Sequence, residues 1–455
     1  MTIFPDAMQR HDTNVQGTSR AEVTHSRLGA ASVLRDLRAG ALLDAAFETA
    51  GGDLDARDRR WLRELVYATL RRRAWIDAVL DTRVRGGLAR LAPELTDLLR
   101  LGTAQLLFMD SVPAYAAIGQ TVEQAKALGL GASKLANAVL RRVDRERDRL
   151  DSPTPADPLD ALALAHSHPR WLVARWVARW GAENTRRLLE ANNAEAYTIL
   201  RPYGLVREQL EAMLEDAGVA PFEPPLEPDS VGVPHGVAVA TLGAFQQGHC
   251  FAQDPAATMV TRYAAVPAGV TMADLCAAPG GKAFELSRTA GQVVACDASY
   301  PRATRIAESV RRMGVPNVHV VVADARRPCV PKVDAVLLDA PCTGTGTFRR
   351  HPDARWRLKP SDLAVMSAVQ RTLLDAAASV VRPDGLLIYS TCSLEAEEND
   401  EQIEAFLESH DDFTLEAPPA GVVPESVLDA GRLRVLPHVH GMDGAFAARL
   451  RRRAA

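Results

Sequence analysis

The residues best suited to chemistry are two cysteines, Cys342 in Asp339-Ala-Pro-Cys342 and Cys392 in Thr391-Cys392-Ser393. Each follows a short apolar run and so falls at the end of a strand, where an inert buried cysteine would more naturally sit mid-strand. A thiolate is a strong nucleophile when a nearby cation and partial exposure ease its ionisation. Lys282 is the candidate cation. It stands in a glycine-rich turn, and only five of the chain's 53 basic residues are lysine, so it is not an interchangeable positive charge. Asp339, three residues before Cys342, is the candidate carboxylate for the same site. The other cysteines (Cys250, Cys276, Cys296, Cys329) read as reduced, mostly buried thiols. No two cysteines form a CxxC pair, so a zinc finger or ribbon is not expected and no metal site is assigned.

These side chains need a scaffold that brings them together. From about Ala268, apolar runs at Val270–Cys276, Gln292–Asp297, Val318–Asp324, Val333–Asp339 and Gly385–Ser390 alternate with helical stretches at Lys282–Ser287, Ala303–Met313 and Leu363–Val380. Such βαβ repetition predicts a mostly parallel sheet covered on both faces, with the strand C-termini along one edge where ligands bind. Cys276, Asp297, Asp324, Asp339 and Cys392 all fall at that edge. One polar strand-end residue means little, but five from one sheet make a site.

The first strand runs into Asp274-Leu-Cys276-Ala277-Ala278-Pro279-Gly280-Gly281-Lys282. This loop lacks GxGxxG spacing, which counts against a dinucleotide cofactor. Gly280 and Gly281 still let the backbone pass close to a ligand. Asp297 can accept the two hydroxyls of a ribose, and Asp324 can sit beside an adenine. A nucleoside without phosphates, bearing a positive sulfonium, suits this acidic series: S-adenosyl-L-methionine, bound by Cys276, Ala277, Ala278, Pro279, Gly280, Gly281, Lys282, Asp297, Asp324 and Asp339. Oxygen and nitrogen methylation leave the two cysteines without a role. Carbon methylation of cytosine gives them one. C5 of cytosine is a poor nucleophile until a thiolate adds at C6, and a carboxylate such as Asp339 near N3 and the exocyclic amine stabilises that adduct.

The rest of the chain is organised differently. From about Ser19 to Arg149, apolar residues recur at helical spacing, in Ala31–Leu43, Trp61–Leu80, Leu95–Met109, Ile118–Leu128 and Leu135–Val143, which predicts an all-α bundle. A charged, then proline-rich stretch over 150–165 reads as a linker. A tryptophan-bearing helix follows from Pro169 to Gly181, with Trp176 and Trp180 on one face and core packing expected. A small α+β subdomain fills out 166–250, and 251–455 carries the catalytic sheet. Residues 1–18 are polar and read as a disordered leader. The net charge of −4 divides unevenly, with 23 basic against 19 acidic residues in 1–150. A mildly basic front is compatible with a polyanion but does not demand one. No run of 18 apolar residues exists and the N-terminus lacks an apolar core, so a cytoplasmic protein is expected.

Taken together the motifs resemble the RNA cytosine-C5 methyltransferases of the Fmu/Sun and nucleolar-antigen superfamily, and the resemblance covers nearly the whole chain. It implies a Rossmann-like class I S-adenosylmethionine-dependent methyltransferase domain preceded by an all-α bundle and a small α+β RNA-binding subdomain. The bundle resembles the RNA-binding factor NusB through Asp55-Ala-Arg-Asp-Arg59, Glu64-Leu-Val-Tyr67, Leu99-Arg-Leu-Gly-Thr-Ala-Gln-Leu-Leu107 and Ala136-Asn-Ala-Val-Leu-Arg-Arg142. The resemblance makes Cys392 the nucleophile and Cys342 the residue that assists breakdown of the adduct. It implies 16S rRNA as partner, cytosine 967 as target, and a protein acting as a monomer. The target base must leave its stack to reach thiol and methyl donor, and Arg349, Arg350 and His351 are expected to touch phosphate or base edge. Trp356 is expected to pack. Two segments depart from the pattern: Ile199-Leu-Arg-Pro-Tyr-Gly204 replaces a Leu-Arg-Val-Asn segment, and Thr343-Gly-Thr-Gly346 stands where Ser-Gly or Ser-Ala is common. Leu433–Leu450 looks like the family's closing hairpin. The same chemistry on a tRNA, or a non-catalytic RNA-binding or antitermination factor on a relic fold, are the rival readings.

Overall fold

The structure is a computed structural model describing residues 23–150 and 155–454. The leader expected over 1–18 lies outside the described residues, as do positions 151–154 of the linker. The remainder of that linker is not extended: Pro158–Ala165 is a helix, opened by Pro158 and capped by the Asp157 carboxylate, which accepts from Asp160 N at 2.9 Å. The described residues divide into two compact units, one comprising 23–66 and 80–150, the other 67–79 and 155–454.

The first unit is helical. Its central element is the helix Pro93–Phe108, buried along most of its length. Ala114–Ala125 and Leu130–Glu146 pack against it, and His25–Arg38 and Leu43–Gly51 complete the unit with most of Ala56–Arg71. The expected helix over Trp61–Leu80 is two helices, Ala56–Arg71 and Arg73–Asp81. Gly102 explains how closely the central helices approach. A Cβ there would lie 2.8 Å from Leu140 Cδ1 and 3.0 Å from Thr121 Oγ1, so a larger residue would have to push these side chains aside.

The second unit holds two sheets. Strands β1 (Thr198–Pro202), β2 (Val231–Val233) and β3 (Cys250–Ala252) form an antiparallel sheet in the order β2-β1-β3, backed by the helix Arg207–Asp216. The larger sheet contains β4 (Thr271–Asp274), β5 (Gln292–Asp297), β6 (Val318–Val322), β7 (Val333–Asp339), β8 (Val381–Thr391), β9 (Phe413–Leu415), β10 (Leu428–Asp429), β11 (Arg432–Val435) and β12 (Ala445–Arg452). The five expected strands are the parallel set, ordered β6-β5-β4-β7-β8. The sheet then continues antiparallel through β12, β11 and β10, with β9 also paired to β12, so the closing hairpin extends the sheet. Chain order reverses between β4 and β7. That switch point opens a crevice beyond the strand C-termini, the place such sheets bind ligands.

Hydrophobic cores cover both faces of this sheet, one around Met259, Tyr263, Phe284 and Ile306, the other around Leu338, Leu374, Tyr389 and Phe446. Trp176 is buried in a third core with Leu188 and Phe348, and its indole N–H donates to Glu395 Oε1 at 3.0 Å. The helix Arg170–Asn193 breaks at Gly181, where φ is 78°. Among the described residues no helix is long and apolar enough to cross a membrane.

Candidate active site

Strand adjacency builds the site. β7 and β8 are parallel neighbours with Asp339 in register with Ser390. Continuing each strand by two or three residues therefore brings Cys342 and Cys392, 50 residues apart in sequence, face to face with their sulfurs at 3.2 Å. The Thr343-Gly-Thr-Gly346 segment makes room for this pairing. Gly346 N–H donates to Cys392 O at 2.9 Å, and a Cβ on Gly346 would fall 2.7 Å from that same oxygen. Thr345 Oγ1 accepts Leu394 N–H at 2.8 Å, so the departure from the common pattern is a working part of the loop.

The two sulfurs differ in setting. The Cys342 thiol is pushed well up by its hydrogen bond to Cys392 and by burial, with the Glu398 charge adding to it. It therefore keeps its proton beside the Cys392 sulfur. Burial and neighbouring carboxylates also push Cys276 to about 12, and burial first of all takes Cys296 to about 12 and Cys250 to about 11. These three are inert, as expected. Cys329 corrects the expectation of mostly buried thiols, since it is exposed.

Asp339 sits between the loops. Its Oδ2 accepts from Lys282 Nζ at 2.7 Å and its Oδ1 from Ser390 Oγ at 2.7 Å. Burial alone would lower the Lys282 ammonium, but Asp339 outweighs it and the Cys392 sulfur adds to the attraction, so the group stays firmly protonated. Lys282 is thus the cation at the thiol pair, as its placement in the turn suggests.

A cavity of about 700 Å³ lies over this edge, lined by Cys276, Ala278, Asp297, Asp324, Asp339, Cys342 and Cys392 among others. A second of about 360 Å³ adjoins it through Ala278 and Asp339 and is lined by Asp274, Ala277, Pro279, Gly281, Lys282 and Arg350 among others. Of the loop residues, Gly280 lines neither. Its part is conformational: φ is 109°, and a Cβ would lie 2.6 Å from Phe284 Cζ. The Ala278–Pro279 peptide bond is cis. Arg201, in the segment Ile199–Gly204, forks onto Glu285 at 3.0 and 3.1 Å and so anchors the short helix Gly281–Leu286 beyond the loop.

Two of the acids expected to hold the cofactor are already engaged within the chain. Asp297 accepts from Ser299 N–H at 2.9 Å and Arg302 Nη2 at 2.7 Å. Asp324 is chelated by the backbone and guanidinium of Arg326, whose hydrogen bonds pull it down to about 2. Asp274 is a site residue that the strand-end reading passes over. It is buried, and neither carboxylate oxygen has a hydrogen-bond partner among the described residues. Burial, reinforced by Asp339, raises it to about 8. An orphaned acid next to the glycine turn is the partner that a cationic group would satisfy. The amino-acid ammonium of S-adenosylmethionine is such a group, and Asp297 and Asp324 at successive strand ends suit its ribose and adenine.

Arg349 and Arg350, the residues expected to touch RNA, each bridge Asp254 and Asp443 in this structure. Arg349 reaches Asp254 at 2.8 Å and hydrogen-bonds Asp443, while Arg350 reaches them at 2.6 and 2.7 Å. Four charges close on themselves, and the pairing holds the loop after Cys342 to the end of β3 and the start of β12. His351 is half-buried on the same loop. Trp356 packs as expected, donating its indole N–H to Leu70 O at 2.9 Å.

The doubly wound sheet with carboxylates at successive strand ends defines an S-adenosylmethionine-dependent methyltransferase, here with a thiol pair at its edge. Comparison with known proteins narrows this. Residues 265–451 match the family model "16S rRNA methyltransferase RsmB/F", 24–145 match the NusB family, and 168–240 match the ferredoxin-like domain of RsmF/B-type methyltransferases. The chain is 33% identical over 444 residues to the "Probable ribosomal RNA small subunit methyltransferase B" of Synechocystis, covering 92% of this chain and 98% of that one. It is 34% identical to the "Ribosomal RNA small subunit methyltransferase B" of Vibrio cholerae, covering 94% and 97%. Among solved structures it resembles PH0851, with a TM-score of 0.79 and 28% identity over 95% of this chain and all of that one. The chain belongs to the RsmB/F family of 16S rRNA methyltransferases.

Proposed function

We propose that the protein methylates C5 of a cytosine in 16S rRNA, that the target is cytosine 967, and that Cys392 is the nucleophile. The observation that carries this reading is the contact of two sulfurs, 3.2 Å apart, at the rim of the cavity that the cofactor carboxylates line. A methylase of nitrogen or oxygen has no use for such a pair. Bound S-adenosylmethionine supplies an electrophilic methyl group. The chain supplies the rest. The Cys392 thiolate forms a bond to C6, and the electrons of the C5–C6 double bond make C5 nucleophilic. The Lys282 ammonium stabilises the thiolate before it attacks. Asp339, held by Lys282 and Ser390, lines the larger cavity together with Cys392 and can accept from the exocyclic amine of a base turned in against that sulfur. After methylation a base, for which water in the open cavity serves, takes the C5 proton, the C5–H electrons re-form the double bond, and the C6–sulfur pair returns to Cys392, with Cys342 beside the departing sulfur to assist its release. The protein is taken to act as a monomer.

Bisulfite mapping of rRNA and tRNA from a deletion strain tests the assignment. Loss of one methyl mark in 16S rRNA, restored by the wild-type gene and not by Cys392→Ala, is the expected result. A lost mark in tRNA, or full restoration by Cys392→Ala, overturns it.

A further inference from the structure

Glu398 is fully buried and takes no part in the chemistry described above, yet it touches both cysteine loops. Its Oε1 accepts from Thr343 N–H at 2.9 Å and from Gln370 Nε2 at 2.9 Å. Its Oε2 accepts from the hydroxyls of Thr343 and Ser393. Thr343 follows Cys342 and Ser393 follows Cys392, so one carboxylate is fastened to the residue next to each thiol. Gln370 also donates to Pro341 O at 2.9 Å, bracketing Cys342 from its other side. Ser393 Oγ accepts from Glu395 N–H at 3.1 Å, which leaves its proton for Glu398. Asn399, the next residue, clamps Cys392 in the same way: it accepts from Thr391 Oγ1 at 2.6 Å and donates to Ser393 O at 2.8 Å. Every group around Glu398 is a neutral donor, and among the described residues no cation pairs with it. A structural ion pair would have been met by an arginine, which this chain uses freely elsewhere.

We propose that Glu398 is a positioning residue that holds the Cys342 sulfur against the Cys392 sulfur, and so governs release of the methylated RNA. The inference rests on the covalent mechanism above. The carboxylate has two effects. It fixes the separation of two loops that no strand pairing holds beyond Asp339 and Thr391. Its charge also lies close enough to Cys342 to help keep that thiol protonated.

Two variants separate these effects. In Glu398→Gln the amide oxygen can keep Thr343 N–H and Gln370, and the amide nitrogen can donate to hydroxyls that rotate to accept, so the fold is retained while the charge is lost. Iodoacetamide alkylation of Cys342, followed by mass spectrometry of its own peptide, is expected to show severalfold more reaction than in the wild type at a given pH, because one of the charges that keep the thiol protonated is gone. Glu398→Ala releases both loops. It is expected to accumulate a covalent enzyme–RNA species on a denaturing gel and to slow turnover about ten- to a hundredfold, with KM for RNA within about twofold. An unchanged alkylation profile in Glu398→Gln overturns the proposal, as does wild-type release by a folded Glu398→Ala. Should Glu398→Ala not fold, Glu398→Asp, which keeps the charge but is too short to span both loops, takes its place on the same gel. Cys342→Ala is the control: if it traps no RNA either, the covalent mechanism has failed, whereas a trap in Cys342→Ala with none in the Glu398 variant overturns the positioning alone.

Discussion

Replacing Asp274 by asparagine removes a charge and changes almost no volume, which makes it the sharpest test of the cofactor site. Asp274 ends β4 with both oxygens unpartnered, and burial together with Asp339 raises it to about 8. An ordinary aspartate titrates near ~3.9. The folded protein therefore holds a proton between about pH 4 and about pH 8 that the unfolded chain has released. Its stability must fall as pH rises through that window and level off above about 8. At about 1.4 kcal/mol per unit, the ceiling on this loss is on the order of 5 kcal/mol. The asparagine variant has no such slope. Urea unfolding of the ligand-free protein at pH 5, 7 and 9 is expected to show wild type losing several kcal/mol relative to the variant, most of it below pH 8. Calorimetry with S-adenosylmethionine then ties the site to function, because the arriving ammonium can ionise the wild-type acid, with release of its proton to the buffer, but meets a neutral amide in the variant. Affinity is expected to fall about tenfold or more, from the loss of a charge-assisted hydrogen bond. Parallel stability curves with unchanged affinity would refute both the buried-acid reasoning and the cofactor assignment.

Other perturbations follow from the same geometry. Cys342→Ala is expected to trap a covalent enzyme–RNA complex, and a denaturing gel with no shifted band under methylating conditions removes its release role. Arg349→Ala leaves Asp254 and Asp443 short of a partner in a buried cluster, with an expected cost of about 3–5 kcal/mol in thermal or urea unfolding. At salt concentrations where that variant stays folded, the salt dependence of RNA affinity should match wild type; a slope reduced by about one would restore the arginine as a phosphate contact. Gly280→Ala forces a left-handed backbone position and a Cβ against Phe284, so cofactor affinity measured by calorimetry should drop while the thiol pair stays intact. Retained affinity would mean the turn tolerates a shift that the geometry denies.

Local sequence marks much of this protein clearly. All five parallel strands are readable, because apolar runs of strand length end in polar residues at regular intervals. The glycine turn is readable because only glycine accepts the backbone at position 280. The antiparallel half of the sheet is harder to read, since β9 and β10 are three and two residues long and carry too little periodicity. The helix hidden in the linker is masked by its prolines, one of which opens it. Asp274 is overlooked because the first strand reads as running on to Cys276, which puts this acid inside it, whereas β4 stops at Asp274 and leaves its carboxylate buried beside the glycine turn.

The sequence by itself determined which chemistry was available: two cysteines that follow strands, one lysine after a glycine turn and a series of aspartates at strand ends. Tertiary structure decided which of them meet. Sulfurs 50 residues apart touch because β7 and β8 are neighbours in register, and strand order is a property of the whole sheet. Arg349 and Arg350 turn inward because Asp254 and Asp443, more than 90 positions away along the chain in each direction, arrive at the same point. Local residue types set what a side chain can do; long-range packing sets which partner satisfies it first.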